Sequence, residues 1–90
     1  SFLGNSTKFS KVVMIEYPRR GIYALAFKTK EAPSSLNRDG KLISVFLPTT
    51  PNPIGGFHLM LSENDIIDTN MTPEEAFKLI LSAGIITPNE

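Results

Sequence analysis

The chain has 90 residues, of which 41% are hydrophobic, so it suits one domain with its own core. It contains no cysteine, which excludes disulfides and thiolate metal sites, and no apolar run approaches the ~20 residues that span a bilayer. The net charge is zero, but residues 1–45 carry +5 and residues 46–90 carry −5. This asymmetry either orients the domain against an anionic surface or reflects pairing between the two halves. Nucleic-acid binding is not expected, because the pI of about 6.5 is not basic.

The first half of the chain predicts a linker followed by a β-hairpin. Residues 1–10 are polar with scattered apolar positions and are predicted to be a linker, which leaves residues 11–90 as a single soluble domain. The apolar, β-branched segment 12–17 (VVMIEY) predicts a buried strand, and PRRG predicts a turn. A second strand is expected at 22–28, with Tyr23, Leu25 and Phe27 on one face and Ala24 and Ala26 on the other. The small-residue face indicates close packing against another layer.

Three further strands are predicted after a surface loop at 29–41, in which Asp39-Gly40 is the expected reversal. The segments 42–47 and 57–61 are predicted as strands, and 65–68 as a short edge strand blunted by its acids. In the 57–61 strand, Phe57, Leu59 and Leu61 are expected to face inward, and His58 to lie on the other side.

One helix is predicted over residues 73–83. Thr72 is the expected N-cap, and Glu75 completes a T-x-x-E capping box. Gly84 is expected to end the helix at the C′ position, and 85–87 to form a terminal strand. The predicted fold is therefore α+β: an antiparallel sheet of four to six strands, open or curled toward a barrel, with one helix packed on it.

No motif identifies a reaction, a metal site or a cofactor. His58 is the only histidine, and a lone strand histidine is usually a surface or interface residue. The acids at 63–68 lack the pattern of a calcium loop, and Gly55-Gly56 lacks the Lys-Ser/Thr of a phosphate loop. Arg19 and Arg20 at a hairpin tip either meet phosphates or lipid headgroups, or form a solvated turn.

The segment 47–57 (LPTTPNPIGGF) is the most distinctive in the chain. Its prolines favour extended backbone and reduce the entropy lost on ordering, and Gly55 and Gly56 allow a sharp return or a close approach of another backbone. Thr49, Thr50 and Asn52 can hydrogen-bond the backbone nearby. The pattern fits a structural crossover between two strands, and it equally fits a preorganised surface for a partner.

Three segments together resemble the domain of unknown function 502 family, a group of integral membrane proteins that includes the plant continuous-vascular-ring proteins and bacterial members. They are VVMIEYPRRGIYALAF, VFLPTTPNPIGGFHLML and MTPEEAFKLILSAGI, and the resemblance covers about residues 11–86. Its most specific parts are 16–18 with Gly21 and 48–53 with Gly56. The family usually has Thr-Ser where this chain has Ile54-Gly55, and an apolar residue at His58. These departures argue against a strict catalytic role for those positions.

The resemblance implies two membrane spans upstream, with this domain following them, on the cytoplasmic side of a cell membrane. The absence of an initial methionine agrees with an excised or processed domain. We therefore expect a non-enzymatic domain that mediates assembly or contact with a partner near the bilayer, either a second copy or another membrane protein. Its expected contact surfaces are the 48–56 loop and the small-residue face of the 22–28 strand. The alternatives are a domain that binds a ligand or lipid headgroup through Arg19, Arg20 and the loop, and a hydrolase using Thr49 or Thr50 with His58.

Overall fold

The alternating apolar residues form an antiparallel sheet of five strands, and one helix packs on it. The computed structural model describes residues 11–88, so the predicted linker at 1–10 lies outside the described residues. The elements are β1 (Lys11–Glu16), β2 (Tyr23–Glu31), β3 (Leu42–Pro48), β4 (Gly56–Ser62), β5 (Ile67–Asp68) and α1 (Pro73–Leu81), with short 3₁₀ turns at Ser34–Leu36 and Glu63–Asp65. The predicted α+β class is confirmed.

The sheet has the order β4-β3-β2-β1-β5, and every pair of neighbours is antiparallel. The first four strands form a meander, since each pairs with the next strand in the chain. The β1–β2 turn and the β3–β4 loop therefore lie at one end of the sheet, and the β2–β3 connection lies at the other. The predicted turn is closed by a hydrogen bond from the Tyr17 amide to the Ile22 carbonyl, and Gly21 has a φ of 87°.

The sheet is strongly curled but is not closed into a barrel. In a flat sheet, β1 and β4 would lie about 14 Å apart, because they are separated by three strand spacings. The rings of Tyr17, which follows β1, and Phe57, in β4, are nevertheless only 5.8 Å apart between centroids. The curl makes one face of the sheet concave and brings the first hairpin toward β4.

The concave face holds the larger of two apolar clusters. Its buried members are Val13, Ile15, Ala26, Val45 and Leu47, and Tyr17, Ala24, Leu59, Leu61 and Ile66 pack around them. The small-residue face predicted for β2 thus lies on the concave side, where the curl brings side chains of different strands together. Leu59 and Leu61 face inward as predicted, whereas Phe57 stays about half exposed at the end of the strand.

The helix α1 covers the opposite, convex face. Val12 and Phe27 of the sheet are buried there against Ala76 and Ile80 of the helix, and the ring of Phe27 stacks on that of Phe77 at 5.0 Å. The predicted capping box is confirmed. The Glu75 amide donates to the Thr72 hydroxyl, and the Thr72 amide donates to the Glu75 carboxylate.

The end of the helix differs from the prediction. The helix stops at Leu81 rather than at residue 83, and the left-handed residue after its C-cap is Ala83, with a φ of 55°. The amides of Ala83 and Gly84 donate to the carbonyls of Ile80 and Leu79, the pair of bonds that defines a Schellman motif. Gly84 therefore lies one position later than predicted. The predicted strand at 85–87 does not form, because the chain turns back onto Ser82 instead.

Ala83→Gly is expected to stabilise the protein by about 1 kcal/mol, because a left-handed conformation strains any side chain with a Cβ atom. Urea denaturation followed by circular dichroism measures the change. The matched control is Gly84→Ala, which places a Cβ in open space at a φ of 88° and should destabilise by a similar amount. No stabilisation by glycine at position 83 would contradict the assigned helix end.

Candidate contact surface

The 48–56 loop connects two strands, which is one of the two alternatives that the sequence left open, and it does so as a hairpin between antiparallel neighbours rather than as a crossover. Pro48 and Gly56 are directly paired at its base, and the Thr49 amide donates to the Gly55 carbonyl at 3.1 Å. The Thr49 hydroxyl donates to the Asn52 carbonyl at 2.7 Å and lies 3.2 Å from the Gly55 carbonyl. The peptide bond between Thr50 and Pro51 is cis. The backbone and side chain of Thr49 thus hydrogen-bond other residues of the same loop, as predicted for this residue.

The two glycines of the loop have different roles. A Cβ atom on Gly56 would overlap the Leu47 carbonyl oxygen and lie 2.7 Å from the Phe46 ring. A Cβ atom on Gly55 would meet nothing within 4 Å. Gly56 therefore permits the close backbone approach that the sequence suggested, and Gly55 does not take part in it.

An open groove of about 670 Å³ lies where the loop meets the end of the helix. Thr49 and Thr50 form one side of it, and Leu79 and Ile80 of α1 form the other. Tyr23 and Leu25 of β2 also line the groove. Sequence reasoning placed the loop residues at a surface, but it did not find the helix residues. Their position depends on which end of α1 packs over the β3–β4 loop.

Exposed apolar side chains lie at the same end of the molecule as this groove, and we call them the apolar end. Its members come from the β1–β2 turn and the start of β2, from the β3–β4 loop and the start of β4, and from the end of α1 and the residues after it: Ile22, Tyr23, Ile54, Phe57, Leu81, Ile85 and Ile86. Within residues 11–88, ten large apolar side chains are exposed, so most of them lie at one end of the molecule. Ile54 and Ile85 are the most exposed, at 83% and 84%.

The second predicted contact surface, the small-residue face of β2, is not a free surface. Ala26 is fully buried and Ala24 is half-buried in the concave cluster. The prediction was wrong because the curl of the sheet turns this face inward. The layer against which the alanines pack consists of side chains from the same sheet.

Arg19 and Arg20 lie at the hairpin tip, as predicted, beside a cavity of about 340 Å³. Two acids, Glu16 and Asp65, line the same cavity. The Glu16 carboxylate accepts a hydrogen bond from the Gly21 amide, and Arg19 donates to the Arg20 carbonyl. An anion in this cavity would therefore lie near carboxylate groups as well as guanidinium groups.

His58 contacts a residue that sequence reasoning missed. Its Nε2 atom lies 2.9 Å from the hydroxyl of Ser44, which is buried on the convex side of β3. Ser44 and His58 are diagonal neighbours on paired strands, so the register of the β3–β4 hairpin was the signal that could have found them. Within residues 11–88, no carboxylate hydrogen-bonds His58, as one would in a Ser-His-Asp triad.

The threonines of the loop are not brought together with His58. His58 pairs with Phe46, and Thr49 lies three residues further along the chain, or about 10 Å at the rise of an extended strand. The Thr49 hydroxyl already donates to backbone carbonyls. The arrangement does not support the hydrolase alternative.

The described residues contain no group of three histidine, cysteine or acidic side chains that could hold a metal ion. The helix of this region is also too short to cross a membrane.

One ion pair joins the basic and acidic halves across residues 11–88, Lys11 with Asp68 at 3.8 Å. The other, Lys41 with Glu31, lies within the basic half. Pairing between the halves therefore accounts for little of the charge asymmetry.

Comparisons with known proteins place the chain in a family. It is 35% identical over 85 residues to Protein LIKE COV 2 of Arabidopsis thaliana, an alignment that covers 93% of this chain and 32% of that protein. It is 31% identical over 85 residues to Protein CONTINUOUS VASCULAR RING 1 of the same plant, and this alignment covers 93% of this chain and 31% of that protein. The chain thus spans about a third of the length of these relatives.

No solved structure matches the chain. A family model described as "Protein of unknown function (DUF502)" matches residues 1–55. Together with the alignments that run over nearly the whole chain, this match shows that the chain belongs to the DUF502 family.

Proposed function

We propose that this domain is a non-enzymatic contact module of a membrane protein, and that the apolar end is its contact surface. The observation that carries the proposal is the concentration of exposed apolar side chains at one end of the molecule. Water-exposed patches of this kind mark sites of interaction with proteins or membranes. In this proposal the domain follows membrane spans in its parent protein and lies on the cytoplasmic side of the cell membrane.

The 48–56 loop supports the proposal because its conformation is fixed before any partner arrives. The hydrogen bonds of Thr49 close the loop, so Ile54 is presented from an ordered segment. Residues 85–86 are held in a similar way, since their amides donate to the carbonyl and the hydroxyl of Ser82. A contact made by ordered segments loses less conformational entropy on binding.

A headgroup pocket at Arg19 and Arg20 is less well supported. The cavity beside these arginines is also lined by Glu16 and Asp65, whose charges oppose the binding of an anion there. A catalytic function is likewise less well supported, because Thr49, Thr50 and His58 do not converge.

Photo-crosslinking of the full-length protein in its native membrane tests the proposal. Benzoylphenylalanine replaces Ile54 or Ile86 at the apolar end, and Leu36 at the opposite end serves as the control because it is also exposed. We expect adducts from positions 54 and 86 to exceed those from position 36 several-fold. Absence of adducts from both apolar-end positions, with the protein correctly folded, would exclude this surface as a contact site.

A further inference from the structure

Four of the seven side chains of the apolar end, those of Ile22, Ile54, Ile85 and Ile86, project from connections rather than from a strand or the helix. Ile22 lies in the β1–β2 turn, Ile54 in the β3–β4 loop, and Ile85 beyond the end of α1. Neighbouring residues of the same three parts of the chain line the groove, namely 23–25, 47–50 and 79, 80, 83 and 84. Side chains on separate projections can enter a fluid layer at the same time, whereas a rigid protein partner would need a matching set of pockets.

The charge of these segments is one-sided. Residues 17–25, 47–58 and 79–88 contain two arginines, Arg19 and Arg20, and no acidic residue. Seven of the nine acids of the chain lie in residues 26–46 and 59–78, Glu16 directly precedes the segment 17–25, and Glu90 is the ninth acid. Exposed apolar side chains with two arginines in one of their segments and no acid in any of them match the interface of a bilayer, where acyl chains lie beneath anionic headgroups.

Glu16 and Asp65 lie beside the arginines, but they do not occupy the three segments. Both line the cavity next to Arg19 and Arg20, and the Glu16 carboxylate is engaged by the Gly21 amide. They weaken the case for an anion held inside that cavity. They leave the outer ends of the arginines free of an ion pair within the described residues, since neither arginine takes part in a salt bridge there.

We infer that the apolar end contacts lipid directly, with Ile22, Ile54, Ile85 and Ile86 entering the boundary between headgroups and acyl chains and Arg19 and Arg20 meeting anionic headgroups. This inference rests on the proposed function and names the partner of the same surface. It differs from a headgroup pocket, because apolar burial supplies the affinity and the arginines supply the preference for anionic lipid.

Vesicle flotation of the 90-residue chain tests the inference. Vesicles contain phosphatidylcholine alone, or phosphatidylcholine with phosphatidylserine at a ratio of about 3:1. We expect the chain to bind both kinds and the anionic kind more tightly. The double variant Ile54→Ser/Ile86→Ser should bind both more than about ten-fold more weakly, because each isoleucine loses its transfer out of water. Arg19→Ala/Arg20→Ala should lose about ten- to thirty-fold on anionic vesicles and almost nothing on neutral ones.

The control variant is Leu36→Ser, which removes an exposed apolar side chain from the opposite end and should leave binding unchanged. Circular dichroism verifies that each variant is folded. The inference would be overturned if the wild-type chain floated with neither kind of vesicle. It would also be overturned if the double isoleucine variant bound the vesicles as tightly as the wild-type chain.

The same probes in the full-length protein separate this inference from the proposed function. Lipid adducts from positions 54 and 86 support both. Protein adducts from these positions without lipid adducts would overturn the lipid contact and leave the contact function standing. Absence of both kinds of adduct would overturn both.

Discussion

Gly56→Ala is expected to destabilise the fold by about 3 kcal/mol, because the new methyl group has no space. It would overlap the Leu47 carbonyl oxygen and crowd the Phe46 ring, at the point where β3 and β4 begin to pair. A backbone oxygen cannot move aside as a flexible side chain can, so the two strands must separate locally. The free energy of unfolding from urea denaturation measures this cost.

Gly55→Ala is the matched control, since it makes the same chemical change one residue earlier. Its Cβ atom would lie in open space, and its backbone does not need a left-handed conformation. We expect a change of less than about 0.5 kcal/mol, or a small stabilisation through the unfolded chain. Equal changes in the free energy of unfolding at positions 55 and 56 would show that the close contacts of Gly56 with Leu47 and Phe46 do not exclude a side chain at position 56.

Phe27→Ala is expected to cost about 3–5 kcal/mol, the range for removing a large aromatic side chain from a core. Phe27 is fully buried on the convex face, where it packs with Val12, Ala76 and Ile80 and stacks on Phe77. Its loss would leave a cavity beneath α1. The midpoint of urea denaturation should fall sharply, and the helical signal should be lost together with the rest of the fold.

Tyr23→Ala provides the comparison, because Tyr23 lies on the same strand and the same face as Phe27. Tyr23 is 53% exposed, so its removal should change stability by no more than about 1 kcal/mol. A cost at position 27 no larger than that at position 23 would contradict the packing of α1 on this face.

Local patterns were enough to predict most of the elements. Period-two alternation predicted which residues of β2 and β4 share a face, and the capping box predicted the start of the helix. These features depend on residues that are close in sequence, so the sequence carries them directly. The family resemblance came from the same segments and is confirmed.

Most of the errors arose where distant segments meet, and one arose locally at the end of the helix. The sheet is curled, as the contact between Tyr17 and Phe57 shows, and Ala24 and Ala26, which were predicted to form a contact surface, therefore lie in the core. The helix end was misplaced because a glycine normally takes the left-handed position, whereas here Ala83 takes it and Gly84 follows. The groove and the pairing of Ser44 with His58 depend on strand register and helix placement, which no short segment of the sequence contains.

The candidate contact residues were predicted only in part. Thr49 and Thr50 were chosen for their loop, and they do line the groove. Ile54 drew attention only as a departure from the family pattern, although it is among the most exposed apolar residues of the described chain. Exposure of an isoleucine depends on what fails to cover it, and a single sequence does not record that.

The division of the core between the two faces has a consequence for the order of folding. The buried residues of the concave cluster all come from 13–47, and the side chains around them end at Ile66, so a chain emerging from the ribosome can complete this cluster first. The convex cluster must wait for residues 71–80. Until then Val12 and Phe27 would face water on a sheet that is already formed. A nascent chain that ends before residue 71 would therefore expose apolar side chains on its convex face. The helix α1 would cover them as the last step of folding.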